Sequence, residues 1–377
     1  MNQNFHSIIP EIKERIKSEC IAETTTDSAE YIAVPYPYVI PGKGTKSALY
    51  YWDTYFINIG LIKMKMIDQA RHNVENLIFL FRKYGFVPAS NIKEMLNILH
   101  PPVLPWMVRD VYRATGDKEW LRRILPDVEE EYRKWTGKEH SSPSGLYCYH
   151  KSEQDEHIIA SNGVMKLTNG KSDQINPVDL NSLLYRNALL IYDLQIEVEG
   201  KGNEPLLEKS EQIKRLMEIC WNEAEGFYYD HNFVEKKLSA HKTISGFMPL
   251  FVELVDEDRA RRISGHVHSF AGPGGLSCHA LSNNGEKLTG VSTKCYAPYI
   301  YFTIKGLFDY DIMEDAADIG TNWLQMVLDI YKTTGEFWEW YNVRERSHQN
   351  GDGAENKPIL GWTIGTYIAL IDALGVD

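Results

Sequence analysis

Apolar residues recur at helical spacing along most of the chain. Between residues 54 and 84 the apolar positions follow the three- and four-residue spacing of two amphipathic helices, and Gly85 ends the second. The same pattern predicts helices over residues 11–20, 102–115, 118–135, 178–198, 205–220, 243–255, 258–270, 297–308, 312–333 and 360–374.

Short polar turns join these segments into antiparallel hairpins, as Gly116-Asp117 does between two of them. Strands are expected only at residues 146–149 and in a hairpin at 227–230. Eleven or twelve helices in hairpins around one core predict an all-α toroid, although a solenoid of stacked helical pairs fits the same pattern. No linker or low-complexity segment divides the chain, so we expect one domain over residues 1–377, with residues 1–34 forming an N-terminal helix and an extended lead-in.

Composition and charge limit the classes of binding partner and the cell compartment that we expect for this chain. The formal net charge of −12 argues against nucleic acid and against an anionic membrane surface. The chain has no apolar run of membrane length, and residues 1–17 lack the apolar core of a signal peptide, so we expect a cytoplasmic protein. Its five cysteines lie far apart without a CxxC pair, which favours reduced, mostly buried thiols.

Carboxylate residues that lie among aromatic residues are the candidates for catalysis and ligand binding. There is no GxSxG, phosphate-binding or dinucleotide-binding loop and no metal-ligand spacing, so we expect neither a cofactor nor a metal. Aromatic rings pack on the faces of sugars, and a glycosidase needs one carboxylic acid and one carboxylate. A long loop is also predicted over residues 136–176. The segments that combine these features are residues 50–56 (YYWDTYF), 153–157 (EQDEH), 338–341 (WEWY) and 351–358 (GDGAENKP).

Several motifs occur together in the order found in one family. They are PG at 41–42, YYWDTYF at 50–56, GFVP at 85–88, PP at 101–102, MVRD and ATGD within 107–117, PVDLN at 177–181, GGL at 274–276 and GWT at 361–363. In this combination the chain resembles the trehalase family and its α-glucosidase relatives. The resemblance implies an (α/α)6 barrel with a central cleft. It also implies an inverting α-glycosidase that hydrolyses a small α-glucoside or disaccharide without a cofactor.

The resemblance also implies site residues. Counting back from Pro177 places the family's general acid on Asp155, with Glu153, Glu156 and Asp173 as rivals. The general base is the Glu of a GGGGEY segment, or of an ENYNP-like segment in the relatives. Glu355 matches it shortly before the GWT motif. We expect the following residues to bind the sugar: Tyr51, Trp52, Asp53, His100, Tyr296, Trp338, Trp340 and Trp362.

Other positions depart from the family. Ile92 and Ile98 replace two arginines, His100 replaces a glutamine, and Ile364 stands where the family has an asparagine. The arginine of the PGGRF segment has no clear counterpart here other than Lys43 or Lys46. Isoleucine cannot replace a planar, multiply donating guanidinium. We therefore expect that the sugar-binding subsites are rebuilt and that the substrate is a small carbohydrate with a smaller or more apolar aglycone. A single domain of this size with a moderately acidic surface could be a monomer or a homodimer.

Two other function classes fit the same toroid. A sugar epimerase or isomerase would move protons with histidines. The candidate histidines are His100, His241, His266, His268 and His279. In such an enzyme two of them would face each other across the cleft. A binding protein that has lost its acid is the other possibility, because fold does not fix function. Retention of the Glu355 segment argues against that second possibility.

Overall fold

The computed structural model describes residues 4–149, 173–280, 293–349 and 355–376. Within these ranges helices dominate and strands are short. The α-helices are α1 Ile9–Arg15, α2 Tyr51–Lys63, α3 Ile67–Tyr84, α4 Leu104–Thr115, α5 Lys118–Trp135, α6 Val178–Glu199, α7 Glu204–Leu216, α8 Met248–Phe251, α9 Glu257–Ser264, α10 Val267–Phe270, α11 Ala297–Asp309, α12 Met313–Thr334 and α13 Gly361–Leu374.

Six of these helices form a closed inner ring. Helix α2 contacts α4, which contacts α6, and the series continues through α8, α11 and α13 back to α2. The helices between them in sequence (α3, α5, α7, α9 with α10, and α12) lie outside, and α1 precedes the first inner helix. The fold is therefore the six-hairpin (α/α)6 toroid. Closure of the ring excludes the open solenoid.

Burial distinguishes inner from outer helices. Every residue from 51 to 61 in α2 and from 361 to 371 in α13 is buried, because these helices are covered on all sides. Outer helix α5 buries one stripe, which includes Trp120, Ile124 and Val128, and keeps charged residues on its other face. The predicted hairpin turn between α4 and α5 is confirmed. Gly116 ends α4 in the left-handed conformation, and the Asp117 side chain accepts a hydrogen bond from the Trp120 N–H.

The ring closes where α2 meets α13 at two glycines. A Cβ atom on Gly60 would lie 3.1 Å from the Cα of Gly365, and a Cβ on Gly365 would overlap the carbonyl oxygen of Phe56. The first and last inner helices therefore approach backbone to backbone. On the outside of this seam, Glu11 and Arg15 of α1 bond to Tyr331 and Glu336 at the end of α12.

The strands of the described residues are two residues long and form small antiparallel sheets between the helices. All pairs are antiparallel: β1 with β2, β3 with β6 and β6 with β7, β4 with β5, β8 with β9, and β10 with β11. Their bounds are β1 Ile21–Ala22, β2 Tyr38–Val39, β3 Ile175–Asn176, β4 Trp221–Asn222, β5 Phe227–Tyr228, β6 His231–Asn232, β7 Lys237–Leu238, β8 Ala271–Gly272, β9 Gly275–Leu276, β10 Lys294–Cys295 and β11 Tyr341–Asn342.

Two predicted helices are wrong in their extent. The segment 243–255 forms a 3-10 turn, Ile244–Phe247, and then the four-residue α8, after which Glu253 adopts a positive φ that ends the helix. The segment 258–270 is split at Gly265 into α9 and α10. The expectation for cysteine is confirmed, since all five are free and buried. In the part of the chain described here, no helix is long and apolar enough to cross a bilayer.

Candidate active site

A pocket of about 700 Å³ opens at the N-terminal ends of three neighbouring inner helices. Asp53 lies in the first turn of α2, His100 lies shortly before α4, and Trp362 is the second residue of α13. All three line the pocket together with Glu339. The volume lies within the range of about 300–1,000 Å³ that is typical of small-molecule sites.

The Asp53 carboxyl is the most perturbed acid of this pocket. Burial, with a further contribution from the nearby Glu339 carboxylate, raises the pKa of Asp53 from an ordinary 3.8 to about 7. Its side chain is 9% exposed, and that exposure is toward the pocket. A carboxyl group in this position can accept hydrogen bonds from sugar hydroxyls when it is ionised.

Glu339 is fixed by the last inner helix and by the segment before it. Its N–H donates to the carbonyl of Lys357 at 3.0 Å, and its carbonyl accepts from the Trp362 indole, also at 3.0 Å. Burial raises the pKa of the Glu339 carboxyl, and the charge of Glu355 raises it further, while Lys357 and Lys294 oppose the rise. Two acidic groups with raised pKa values therefore face one cavity, as in sites that use carboxyl groups for proton transfer or sugar binding.

His100 is a neutral hydrogen-bond donor. Burial lowers its pKa to about 3, and its Nδ1 accepts the Trp52 N–H at 3.3 Å. The proton of the neutral ring therefore lies on Nε2. Because the ring lines the pocket, its Nε2–H can donate to a sugar hydroxyl, whereas the lone pair on Nδ1 already accepts the Trp52 N–H and the low pKa makes the ring a weak base.

Five of the expected sugar-binding residues lie outside the pocket lining. The Tyr51 hydroxyl donates to the buried Glu131 at 2.6 Å and accepts N–H groups from Val103 and Leu104, so it joins helices α2, α4 and α5. Trp52 is buried in the core beside Phe56 and Phe302. The remaining three occupy the neighbourhood of Glu339: Tyr296 meets Trp362 edge-on, Trp338 stacks on His348, and Trp340 packs under the Lys294 ammonium.

Of the two expected catalytic residues, the structure describes Glu355 but not Asp155. Asp155, like Glu153 and Glu156, lies outside the described residues, and the rival Asp173 is half-buried at their edge. Glu355 is exposed and lies near enough to Glu339 to raise the pKa of that carboxyl, but it is outside the described pocket lining. The assignment of the catalytic pair remains a prediction.

The other four candidate histidines, at positions 241, 266, 268 and 279, lie outside the described pocket lining. His266 Nε2 bonds to the carbonyl of Glu225, and His268 pairs with Asp315 on the outside of the ring. His279 is buried, its pKa is lowered to about 4 by that burial, and neither it nor His241 lines the pocket. His241 is close enough to His279 to contribute to the lowering of that pKa, and among the described residues His100 is the one histidine of the pocket lining.

The sequence pattern did not assign Glu339, Tyr50, Met95 or Ile359 to the site, whereas Ile92 and Ile98 were expected in its rebuilt subsites. Glu339 lies between two tryptophans in a segment already marked as acidic and aromatic, and that position was the available signal. Tyr50 precedes the YYWDTYF helix and lines the pocket beside Asp53. Ile92, Met95, Ile98 and Ile359 also contribute to the lining.

Known proteins are similar to this chain in sequence over nearly its whole length. A probable trehalase of Oryza sativa subsp. japonica is 24% identical over 98% of this chain and 78% of its own length. A periplasmic trehalase of Xanthomonas campestris pv. campestris (strain 8004) is 25% identical over 90% of this chain and 68% of its own length.

Solved structures of low sequence identity share the fold. Neutral trehalase Nth1 from Saccharomyces cerevisiae superimposes with a TM-score of 0.75 at 20% identity, covering 97% of this chain and 79% of that protein. The GH63 mannosylglycerate hydrolase from Thermus thermophilus, in complex with glucose, gives a TM-score of 0.71 at 16% identity, covering 98% of this chain and all of that protein. The Trehalase family model matches residues 1–156 and 155–375. With this match and the six-hairpin toroid, the chain belongs to the trehalase family of glycoside hydrolases.

Proposed function

We propose that the protein is an inverting α-glycosidase that hydrolyses a small α-glucoside or disaccharide through subsites that differ from those of trehalase. The observation that carries this proposal is the pocket at the inner-helix N-termini. There Asp53 and Glu339 are close enough for their charges to interact, and Trp362 and the neutral His100 stand beside them. Two carboxylates, an aromatic ring and a neutral donor suit a glucose ring with several hydroxyls.

Asp155 is the proposed general acid and Glu355 the proposed general base. The acid protonates the leaving oxygen while the base removes a proton from water, which attacks the anomeric carbon from the opposite face. In this scheme the two carboxyl groups stand roughly 6.5–9.5 Å apart. Asp53, His100 and Trp362 hold the glucose ring.

Glu339 is a second candidate for the base. It lines the pocket, whereas Glu355 is exposed beside it. The sequence from Glu339 to Asn342, EWYN, also has the Glu, Tyr and Asn spacing of the ENYNP-like segment that carries the base in some relatives. If Glu339 is the base, Glu355 serves to raise its pKa.

Leaving-group chemistry separates these roles. Fluoride departs from α-glucosyl fluoride without protonation, so an acid variant, Asp155→Asn, should keep activity on the fluoride and lose it on an alkyl glucoside. A base variant should lose both activities, and azide should restore turnover by forming the β-glucosyl azide. The variants Glu355→Gln and Glu339→Gln are compared for this rescue by azide. In a separate measurement, NMR of the sugar first released by the parent enzyme should show β-glucose.

Retention of configuration, or full activity in all three variants, would refute the proposed mechanism. Turnover of no glucoside with saturable sugar binding by calorimetry would favour a binding protein. We further propose a single catalytic domain without a cofactor, in the cytoplasm, as a monomer or homodimer. Relatives include proteins named periplasmic trehalases, so cell fractionation is the measurement that decides the compartment.

A further inference from the structure

The pocket lining combines an apolar surface with carboxylate groups. Two of the carboxylates, Asp53 and Glu339, come from α2 and from the residue before Trp340, whereas Glu94 lies in the same chain segment as part of the apolar surface. The apolar groups are Ile92, Met95, Ile98 and Ile359, which we call the apolar wall. Ile92, Ile98 and Ile359 are only 1%, 2% and 4% exposed, so packing fixes their positions, and the partly exposed Met95 has the most accessible surface of the four.

The backbone of the apolar wall is already hydrogen-bonded within the protein. The Ile92 N–H donates to Ser90 Oγ at 3.3 Å, and the Met95 and Ile98 N–H groups donate to the carbonyls of Ile92 and Met95. The Ile359 N–H donates to Phe337 at 2.8 Å. A ligand on this wall therefore meets methyl and methylene groups and finds no free backbone donor.

The exposed charged side chains of the pocket lining are Lys46, Glu94 and Lys357. Lys46 Nζ is 2.9 Å from Glu30 and 3.5 Å from Glu94, and all three side chains are exposed to about half or more. The charges of Lys46, Glu30 and Glu94 are paired in water. A hydroxyl group placed against the methyl and methylene groups of the wall would lose water without gaining a partner from the wall, whereas an alkyl group would lose only apolar hydration.

We propose that the apolar wall is the aglycone subsite, and that the preferred substrates are α-glucosides of small apolar alcohols in place of disaccharides or polyol glucosides. This inference rests on the proposed function, since it assumes that the bond between the glucose and this aglycone is the one cleaved. One methylene in an apolar pocket changes specificity about 10-fold or more.

The test compares two substrates with aglycones of similar length. n-Butyl α-D-glucoside and 2,3-dihydroxypropyl α-D-glucoside both release primary alcohols, so they differ chiefly in the polarity of the aglycone. We expect kcat/KM at least about 10-fold higher for the butyl compound, and a similar advantage over trehalose and maltose. Equal or greater kcat/KM for the polyol glucoside or for either disaccharide would overturn the inference.

A pair of matched variants assigns the preference to the wall. Ile98→Thr places a hydroxyl on the wall and should lower the butyl-to-polyol ratio by about 5- to 10-fold. Ile213→Thr makes the same change at a 1% exposed position of outer helix α7 and should leave the ratio unchanged. Because both rates come from one preparation, their ratio does not depend on the folded fraction. An unchanged ratio in Ile98→Thr would refute the role of the wall.

Failure of the proposed function gives a different result. If neither glucoside is hydrolysed, calorimetry with the same two compounds measures the preference as a ratio of dissociation constants. Tighter binding of the butyl compound, reduced in Ile98→Thr, would support the wall as an apolar subsite of a non-catalytic protein. Equal binding of both compounds would overturn the inference by itself.

Discussion

Replacing Asp53 with asparagine should make the protein more stable at alkaline pH while impairing its function. In the unfolded chain this carboxyl ionises near its ordinary pKa of 3.8, but in the folded protein burial and the Glu339 charge raise the pKa to about 7. Between these values the folded protein holds a proton that the unfolded chain has lost. Stability therefore falls as the pH rises through this window, and the loss is complete above pH 7.

The magnitude follows from the part of the window that an experiment can cover. From pH 5 to the folded pKa of about 7 the interval is about two pH units. Over each of them the parent protein loses about 1.36 kcal/mol of unfolding free energy. Asparagine keeps the size of the side chain and cannot ionise. We therefore expect the stability of Asp53→Asn relative to the parent protein to rise by about 2–3 kcal/mol between pH 5 and pH 8.5.

Urea denaturation followed by circular dichroism at both pH values measures this difference. The exposed Asp318→Asn is the matched control and should run parallel to the parent protein. At pH 8.5 Asp53→Asn should also lose most hydrolysis of the best glucoside, since the ionised carboxylate that accepts sugar hydroxyls is gone. A stability difference that does not change with pH, or a destabilised variant at pH 8.5, would contradict the reasoning.

Two further predictions concern the frame around the site. Gly365→Ala should cost about 2–3 kcal/mol or more, because its Cβ overlaps the carbonyl oxygen of Phe56 and the helices must separate. Gly335→Ala, at a positive φ with open space around it, should cost only about 1 kcal/mol in the same urea titration, and equal costs would contradict the ring-closure contact. Tyr51→Phe removes the donor to the buried Glu131 and the acceptor of two backbone N–H groups, so it should lower the unfolding free energy by about 2–4 kcal/mol. A thermal or urea midpoint equal to that of the parent would show that these groups find other partners.

Helical periodicity was sufficient to predict most of the fold. Long segments such as α3, α5 and α12 alternate apolar and polar faces, so their spacing identifies them without tertiary information. Ring closure could not be predicted from periodicity, because the contact of Gly60 with Gly365 joins opposite ends of the chain. The segments around α8 and α10 were also mispredicted, since apolar spacing alone does not distinguish one helical turn from three.

Three of the residues expected to bind the sugar lie at the pocket, and their role in binding stays a prediction. Asp53, His100 and Trp362 were identified from segments that resemble the family, and each lines the pocket. Tyr51 belongs to the same motif as Asp53 but serves the core, because the inner helix turns it toward Glu131. Glu339 was not selected, because sequence alone does not show that Trp362 and the residues before α13 hold it at the cavity.

The seam of the ring also determines the geometry of the candidate site. Asp53 is carried by the first inner helix, whereas Trp362 and the segment it holds belong to the last. The two helices approach backbone to backbone at Gly60 and Gly365, so this contact sets the spacing between the helix that carries Asp53 and the helix that carries Trp362. The charge interaction that helps to raise the pKa of Asp53 therefore exists only after the chain ends have met. The acidity of this pocket therefore depends on the seam, and loosening the seam should lower the pKa of Asp53 before it unfolds the ring.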